Sequence, residues 1–248
     1  MIERGNRYRT LGLLGGMGPG ATADVLTKII SATPAARDQD HVPVLVHCVP
    51  QIPDRTDALL GRGPSPEAAL IDGTLALRRA GADFMAIACN TAHHWYEAVR
   101  HAADRPVIHI ADAVVSEIRA SNKPGAVGLL ATAGTIKSGF YQRALRAEGF
   151  APCVPDPAIQ NAVVDKAIAS AKAGRWPEAR RLIRRAIEIL GDEGSHTLIL
   201  ACTELPLAVR DRDCEGMFIV DANMALARAC VAAAHEMGRT LNETAELL

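Results

Sequence analysis

Aromatic side chains are scarce in this 248-residue chain, where Phe, Trp and Tyr together make up 4%. Base-stacking platforms and aromatic cages need clusters of rings, so neither is expected. An excess of one charge is also lacking. Lys and Arg number 27 against 28 Asp and Glu, a balance that argues against an electrostatic binder of nucleic acid or membrane surfaces. No apolar run approaches the roughly 18 residues needed to span a bilayer. The charged opening MIERGNRYRT leads into only a short apolar segment that meets Gly15, so no secretory signal can be drawn and a cytoplasmic chain is expected. Six cysteines (Cys48, Cys89, Cys153, Cys202, Cys214, Cys230) include no CxxC pair. They are too sparse for a disulfide scaffold and wrongly spaced for structural zinc, so most should be buried thiols and one or two chemically active.

Apolar residues are plentiful, at 49%, and the length allows one large domain or two small ones. Short β-branched runs alternate with longer amphipathic segments, the rhythm of βαβ units around a buried parallel sheet. The expected class is therefore α/β. Strands are predicted at 10–14, 42–49, 84–88, 107–110, 126–130, 197–201 and 217–220, and a helix at 177–190 with an apolar face opposite its arginines. Pro and Gly collect in two loop-rich stretches, 50–66 and 152–157.

An internal repeat organises these elements. Gly12-Leu13-Leu14 recurs as Gly128-Leu129-Leu130, Ala88-Cys89-Asn90-Thr91 as Ala201-Cys202-Thr203-Glu204, and Ile110-Ala111-Asp112-Ala113 as Ile219-Val220-Asp221-Ala222. Three matches in one order at nearly constant spacing imply two similar α/β domains with parallel-sheet cores, related by a pseudo-twofold repeat, with the active site in the cleft between them. The expected division puts residues 1–113 and 222–248 in a first, discontinuous domain and 114–221 in the second. Ligands of open α/β sheets bind beyond the carboxyl ends of the strands, so each half would bring one cysteine, Cys89 or Cys202, to a shared cleft.

Each of these thiols ends an apolar run and precedes polar residues that begin a helix. Unpaired backbone N–H groups there favour thiolate and lower a reference pKa of about 8.5. Two thiols facing one small ligand from opposite lobes suit racemisation or epimerisation: a thiolate removes a proton from one face of a carbon while a thiol delivers one to the other. Without a cofactor, fixed donors must stabilise the carbanion. Asn90, Thr91, Thr132, Thr135 and Thr203 stand beside the strand ends and can supply them.

Two other chemistries compete. Gly16-x-Gly18-x-x-Ala21 fits a loose dinucleotide-binding fingerprint, but Pro19 sits inside it and the second strand ends His47-Cys48-Val49-Pro50 with no acidic residue. Cys89, His93, His94 and Glu97 invite a metal reading, yet no second ligand cluster follows. The expectation is a packed His93, a solvated His94, no metal and no cofactor.

The stretches GLLGGMGPGAT (12–22), PQIPDRT (50–56), ACNTAH (88–93), GLLATAGT (128–135) and ACTEL (201–205) resemble the cofactor-independent aspartate/glutamate racemase family, most closely its aspartate racemases. The resemblance runs from about residue 10 to 235. It implies two similar α/β domains around a cleft, a homodimer, and an amino-acid substrate, with no nucleic-acid or membrane partner. Its paired catalytic cysteines map onto Cys89 and Cys202, with Cys202 serving the L face and Cys89 the D face. Arg55 and Lys172 match positions that hold the side-chain carboxylate, and Met17 and Glu204 complete the implied substrate contacts. A broad-specificity racemase of the same family and a non-catalytic two-lobed binding protein are the alternatives.

Overall fold

The computed structural model describes residues 8–123, 125–209 and 216–245; Cys214 lies outside them. The first half runs β1 (Leu11–Gly15), α1 (Pro19–Ala32), β2 (Val44–Cys48), α2 (Arg55–Leu59), α3 (Glu67–Arg79), β3 (Phe84–Ile87), a 3-10 turn (Thr91–Trp95), α4 (Tyr96–Ala103), β4 (Val107–Ile108) and α5 (Ile110–Ala120). The second runs β5 (Ala126–Ala131), α6 (Ala133–Ser138), α7 (Phe140–Ala147), β6 (Ala151–Cys153), α8 (Pro157–Ile159), a π-helical turn (Gln160–Val164), α9 (Asp165–Lys172), α10 (Trp176–Asp192), β7 (Ser195–Ala201), α11 (Leu205–Ala208), β8 (Phe218–Asp221) and α12 (Ala222–Ala245).

Two four-stranded parallel sheets result, ordered β2-β1-β3-β4 and β6-β5-β7-β8. The orders are the same when the halves are superposed by sequence, as the repeat predicts. Strands buried on both faces carry apolar residues throughout, and their period-two alternation sorts side chains between two cores. Leu11, Leu13, Phe84, Ala86, Val127, Leu129, Ile199 and Ala201 enter one central cluster shared by both sheets and by α1, α5, α7 and α12. Leu14, Met85 and Ile87 instead face α3 and α4, while Leu130, Leu198 and Leu200 face α9 and α10.

The repeated Gly-Leu-Leu has a steric cause. A Cβ on Gly12 would lie 2.8 Å from Ala82 Cβ and 3.3 Å from Leu77 Cβ of α3. On Gly128 it would lie 2.8 Å from Leu198 Cδ1 and 3.3 Å from Leu190 Cδ1 of α10. Both glycines let the helix that precedes the neighbouring strand sit close on the sheet.

Predicted strands fall within two residues of those observed at most ends. β6 is the exception: it occupies part of the stretch expected as a loop at 152–157. It is three residues long, contains Pro152 and pairs only with β5, so it is an edge strand too short to show a pattern. The stretch at 50–66 is also more ordered than expected. It holds α2, whose N-cap Asp54 accepts a hydrogen bond from the Asp57 N–H at 2.9 Å. β4 stops at Ile108 because His109 caps α5, accepting from the Ala111 N–H at 3.1 Å.

Candidate active site

The cysteines reach the site because their strands end there. Cys89 follows β3 and Cys202 follows β7, both are buried, and both line one small cavity. Around them stand Met17, Arg55, Asn90, Thr91, Thr132, Lys172, Thr203 and Glu204, all singled out from the sequence, together with Asp54 and Thr56, which were not. Thr135 does not line the cavity. It sits behind Thr91 and Thr132, and the three hydroxyls form a ring at 2.9–3.1 Å that ties the turn after β3 to α6. Asp54 lies within PQIPDRT (50–56), and an Asp directly before Arg55 in a Pro-rich loop, a residue type that caps short helices, is the signal that could have found it.

The cavity is about 10 Å³, room for about one water. It adjoins an outer chamber of about 570 Å³, and Met17, Asp54, Arg55, Lys172 and Glu204 face both. The β1–α1 loop walls this chamber. Gly16 there has φ +98°, and a Cβ would collide with the Val49 backbone, so the loop can hug the end of β2 only with glycine. α1 then starts at Pro19 with no side-chain cap, leaving its positive end toward the chamber.

Arg55 is a buried cation, 7% exposed. Its guanidinium donates to the carbonyls of Ile52 (3.0 Å), Pro53 (2.9 Å) and Met17 (3.0 Å), while Nε has no partner. Lys172 is the last residue of α9 and is exposed at the rim. Desolvation lowers its pKa, but Cys202, Glu204, Cys89 and Asp54 outweigh this and the pKa is raised, so the ammonium stays charged. The Asp54 carboxyl is desolvated too; the Asp57 N–H, Lys172 and Arg55 nevertheless hold its pKa below the ordinary value.

Cys202 departs from expectation. Burial and the Glu204 carboxylate push its thiol well above the ordinary range, against the opposing pull of Lys172. The Cys202 Sγ–H donates to Glu204 Oε2 at 3.2 Å, and Thr203 Oγ1 donates to the same oxygen at 3.1 Å. The following helix, α11, has four residues, too few for its dipole to offset a neighbouring carboxylate. These contacts favour the thiol form of Cys202.

His93 packs beneath Cys89, its Nδ1 2.9 Å from the Cys89 carbonyl, and burial pushes its pKa down to about 3. A neutral His93 donates there from Nδ1. His94 is exposed. Among the described residues no three His, Cys, Asp or Glu side chains are grouped to hold a metal, and no helix is long and apolar enough to cross a membrane.

Similar proteins share this architecture. Over 93% of this chain and 98% of the other, the fold superposes on Picrophilus torridus aspartate racemase with a TM-score of 0.81 at 31% identity. In sequence, the chain is 30% identical over 225 residues to the broad specificity amino-acid racemase RacX of Bacillus subtilis, covering 89% of this chain and 96% of that protein. It is 31% identical over 163 residues to the glutamate racemase of Deinococcus radiodurans, a match covering 61% of this chain and 53% of that one. Residues 14–230 match the Asp/Glu/Hydantoin racemase family, and with two strand-end thiols lining one cavity between twin sheets, the chain belongs to that family as an amino-acid racemase.

Proposed function

We propose that this protein interconverts L- and D-aspartate, with glutamate as a second acidic substrate, by proton transfer at the α-carbon without a cofactor. The observation that carries the reading is one cavity lined by two buried thiols from equivalent strand ends and by a buried arginine whose Nε–H has no partner. Asp54 lies near enough to Arg55 to feel its charge, but the buried Nε–H has no hydrogen-bond partner, and leaving it so is costly unless an acceptor on a ligand completes the site. A dicarboxylic amino acid supplies that anion through its side chain, which Arg55 and Lys172 hold. Its α-carboxylate meets the free Nδ2–H of Asn90; Thr91, Thr132 and Thr203 line the pocket beside it, and any of these hydroxyls that donates to the carboxylate must turn its single proton away from the hydroxyl ring or Glu204. Thr135 acts through the hydroxyl ring.

In one direction the Cys89 thiolate takes the α-proton while Cys202 delivers its own to the opposite face. The thiol and thiolate exchange places, and the reverse reaction starts from that exchanged pair. Cys202 serves the L face and Cys89 the D face. Because the cavity has room for about one water, its walls must part to admit an amino acid from the outer chamber. We further take residues 1–113 with 222–248 as one lobe and 114–221 as the other, with α12 packed against α1 and α5 running through the boundary. A homodimer in the cytoplasm completes the reading.

The test is incubation of the purified protein with L-aspartate in deuterated water, without pyridoxal phosphate and with a chelator. α-Deuteration and D-aspartate should appear together, and Cys89→Ala or Cys202→Ala should abolish racemisation. Dependence on an added cofactor or metal, or full turnover by Cys202→Ala, would overturn the proposal.

A further inference from the structure

The orientation of the Asn90 amide decides whether the cavity offers a carboxylate a donor or an acceptor. The side chain is 2% exposed and lines the inner cavity. Its Oδ1 accepts a hydrogen bond from the Tyr141 hydroxyl at 2.6 Å, and its Nδ2 has no partner. The two residues are 51 apart in sequence. Asn90 belongs to the turn after β3, under the first sheet, and Tyr141 to the first turn of α7, after β5 of the second.

We infer that Tyr141 is a positioning residue, holding the Asn90 amide with Nδ2 toward the substrate carboxylate. The Tyr141 ring is fully buried in the central cluster, a place that Phe would fill as well. The hydroxyl adds one proton, and its hydrogen bond goes to Asn90 Oδ1. Were the amide flipped, Nδ2 would point at the phenol and the hydroxyl proton would lose its acceptor inside the core, while Oδ1 would face the substrate's negative charge. Both consequences are unfavourable, so the phenol selects one of two sterically equal rotamers. Burial also raises the phenol's pKa well above 10, which keeps it a donor. The next residue, Thr91, is tied to α6 through Thr132 and Thr135. The α6–α7 segment of one half thus orients the free Asn90 donor and fixes the Thr91 side chain, both carried by the other half.

The inference rests on reading this cavity as the site of racemisation, but not on which side chain the substrate carries. α-Proton exchange is therefore measured with whichever L-amino acid the wild type turns over, in Tyr141→Phe, Asn90→Ala and the double variant. Tyr141→Phe should lower kcat/KM about tenfold, and Asn90→Ala by more. The double variant should match Asn90→Ala alone, because a residue acting through Asn90 has nothing further to lose. No loss in Tyr141→Phe, or an independent further loss in the double variant, would overturn the inference, while active cysteine variants would overturn the reading beneath it. Should Tyr141→Phe not fold, the side-chain amide protons of wild-type Asn90, assigned by their loss in Asn90→Ala, decide the matter by NMR. They should shift when the amino acid is added; amide protons that ignore it would refute the assignment.

Discussion

Arg55→Ala is the perturbation that separates an acidic substrate from any other. A guanidinium has five N–H groups, and three of those in Arg55 are engaged by the carbonyls of Ile52, Pro53 and Met17. The Nε–H and one Nη2–H remain for a ligand. Each charge-assisted bond is worth about 1.5–3 kcal/mol, so losing the side-chain carboxylate's share of this fork should cut kcat/KM for aspartate by about ten- to a hundredfold. The substitution also strips three carbonyls of their donor, those of Ile52 and Met17 at buried bonds, and loosens the β1–α1 loop through Met17. That damage falls on every substrate alike.

The decisive quantity is therefore a ratio: kcat/KM for aspartate over kcat/KM for a neutral amino acid of similar size, in wild type and variant. The ratio should fall by about ten- to a hundredfold. If neutral substrates turn over too slowly to measure, the affinities for succinate and propionate give the same comparison. Arg55→Lys keeps the charge but not the fork, and should lie between wild type and Arg55→Ala. An unchanged ratio, or a wild type that prefers neutral or basic amino acids, would refute the acidic-substrate reading and leave the two-thiol mechanism standing.

The neighbouring groups give further expectations. Glu204→Gln removes the carboxylate that helps raise the Cys202 pKa, so the alkaline limb of the pH–rate profile should move to lower pH; a limb that stays put would deny Glu204 this influence. His93 should make the protein acid-labile. Its folded pKa of about 3 lies below the unfolded 6.5, so its stabilising contribution is complete above about pH 6.5 and is lost at about 1.4 kcal/mol per pH unit as the pH falls toward 3. His109, also depressed by burial, acts in the same direction. Urea titrations should show about 2–3 kcal/mol lost from His93 between pH 6.5 and 4.5, and His93→Gln should flatten that slope. Gly12→Ala should cost more stability than Gly128→Ala, about 1–3 kcal/mol for the former, because the Ala82 Cβ at 2.8 Å cannot rotate away whereas the Leu198 methyl can. Equal denaturation midpoints would refute this.

How much of this was legible in the sequence depended on how local each cause is. Cys89 and Cys202 could be placed because an apolar run specifies a buried strand, and a strand specifies where its last residue emerges. Gly12 and Gly128 marked the repeat by their identity alone; the reason for them, the close approach of α3 and α10 from far along the chain, exists only in the fold. β6 could not be seen because three residues at a sheet edge, one of them Pro152, carry no period. Asp54, Thr56 and Tyr141 were missed because their relation to the site is tertiary: it exists only after α2 and α7 have packed against the other half. The direction of the Cys202 shift was misjudged because the helix behind it is short and the carboxylate two residues on is buried with it.

The same residues show where a repeat must stop being a repeat. Two equivalent strand ends supply two equivalent thiols, yet on the proposed reading one chiral substrate presents them with different faces and lies in one orientation. The halves diverge at the two positions after each cysteine, Asn90-Thr91 against Thr203-Glu204. Beside Cys89 this places an amide with a free N–H and a hydroxyl tied to α6. Beside Cys202 it places a buried carboxylate that accepts the thiol's hydrogen bond and helps raise its pKa. On the proposed reading these two residue pairs give a symmetric scaffold a carboxylate-binding side and a proton-holding side, and exchanging Asn90 with Thr203, or Thr91 with Glu204, should lower kcat/KM for racemisation even though every strand and both thiols stay in place.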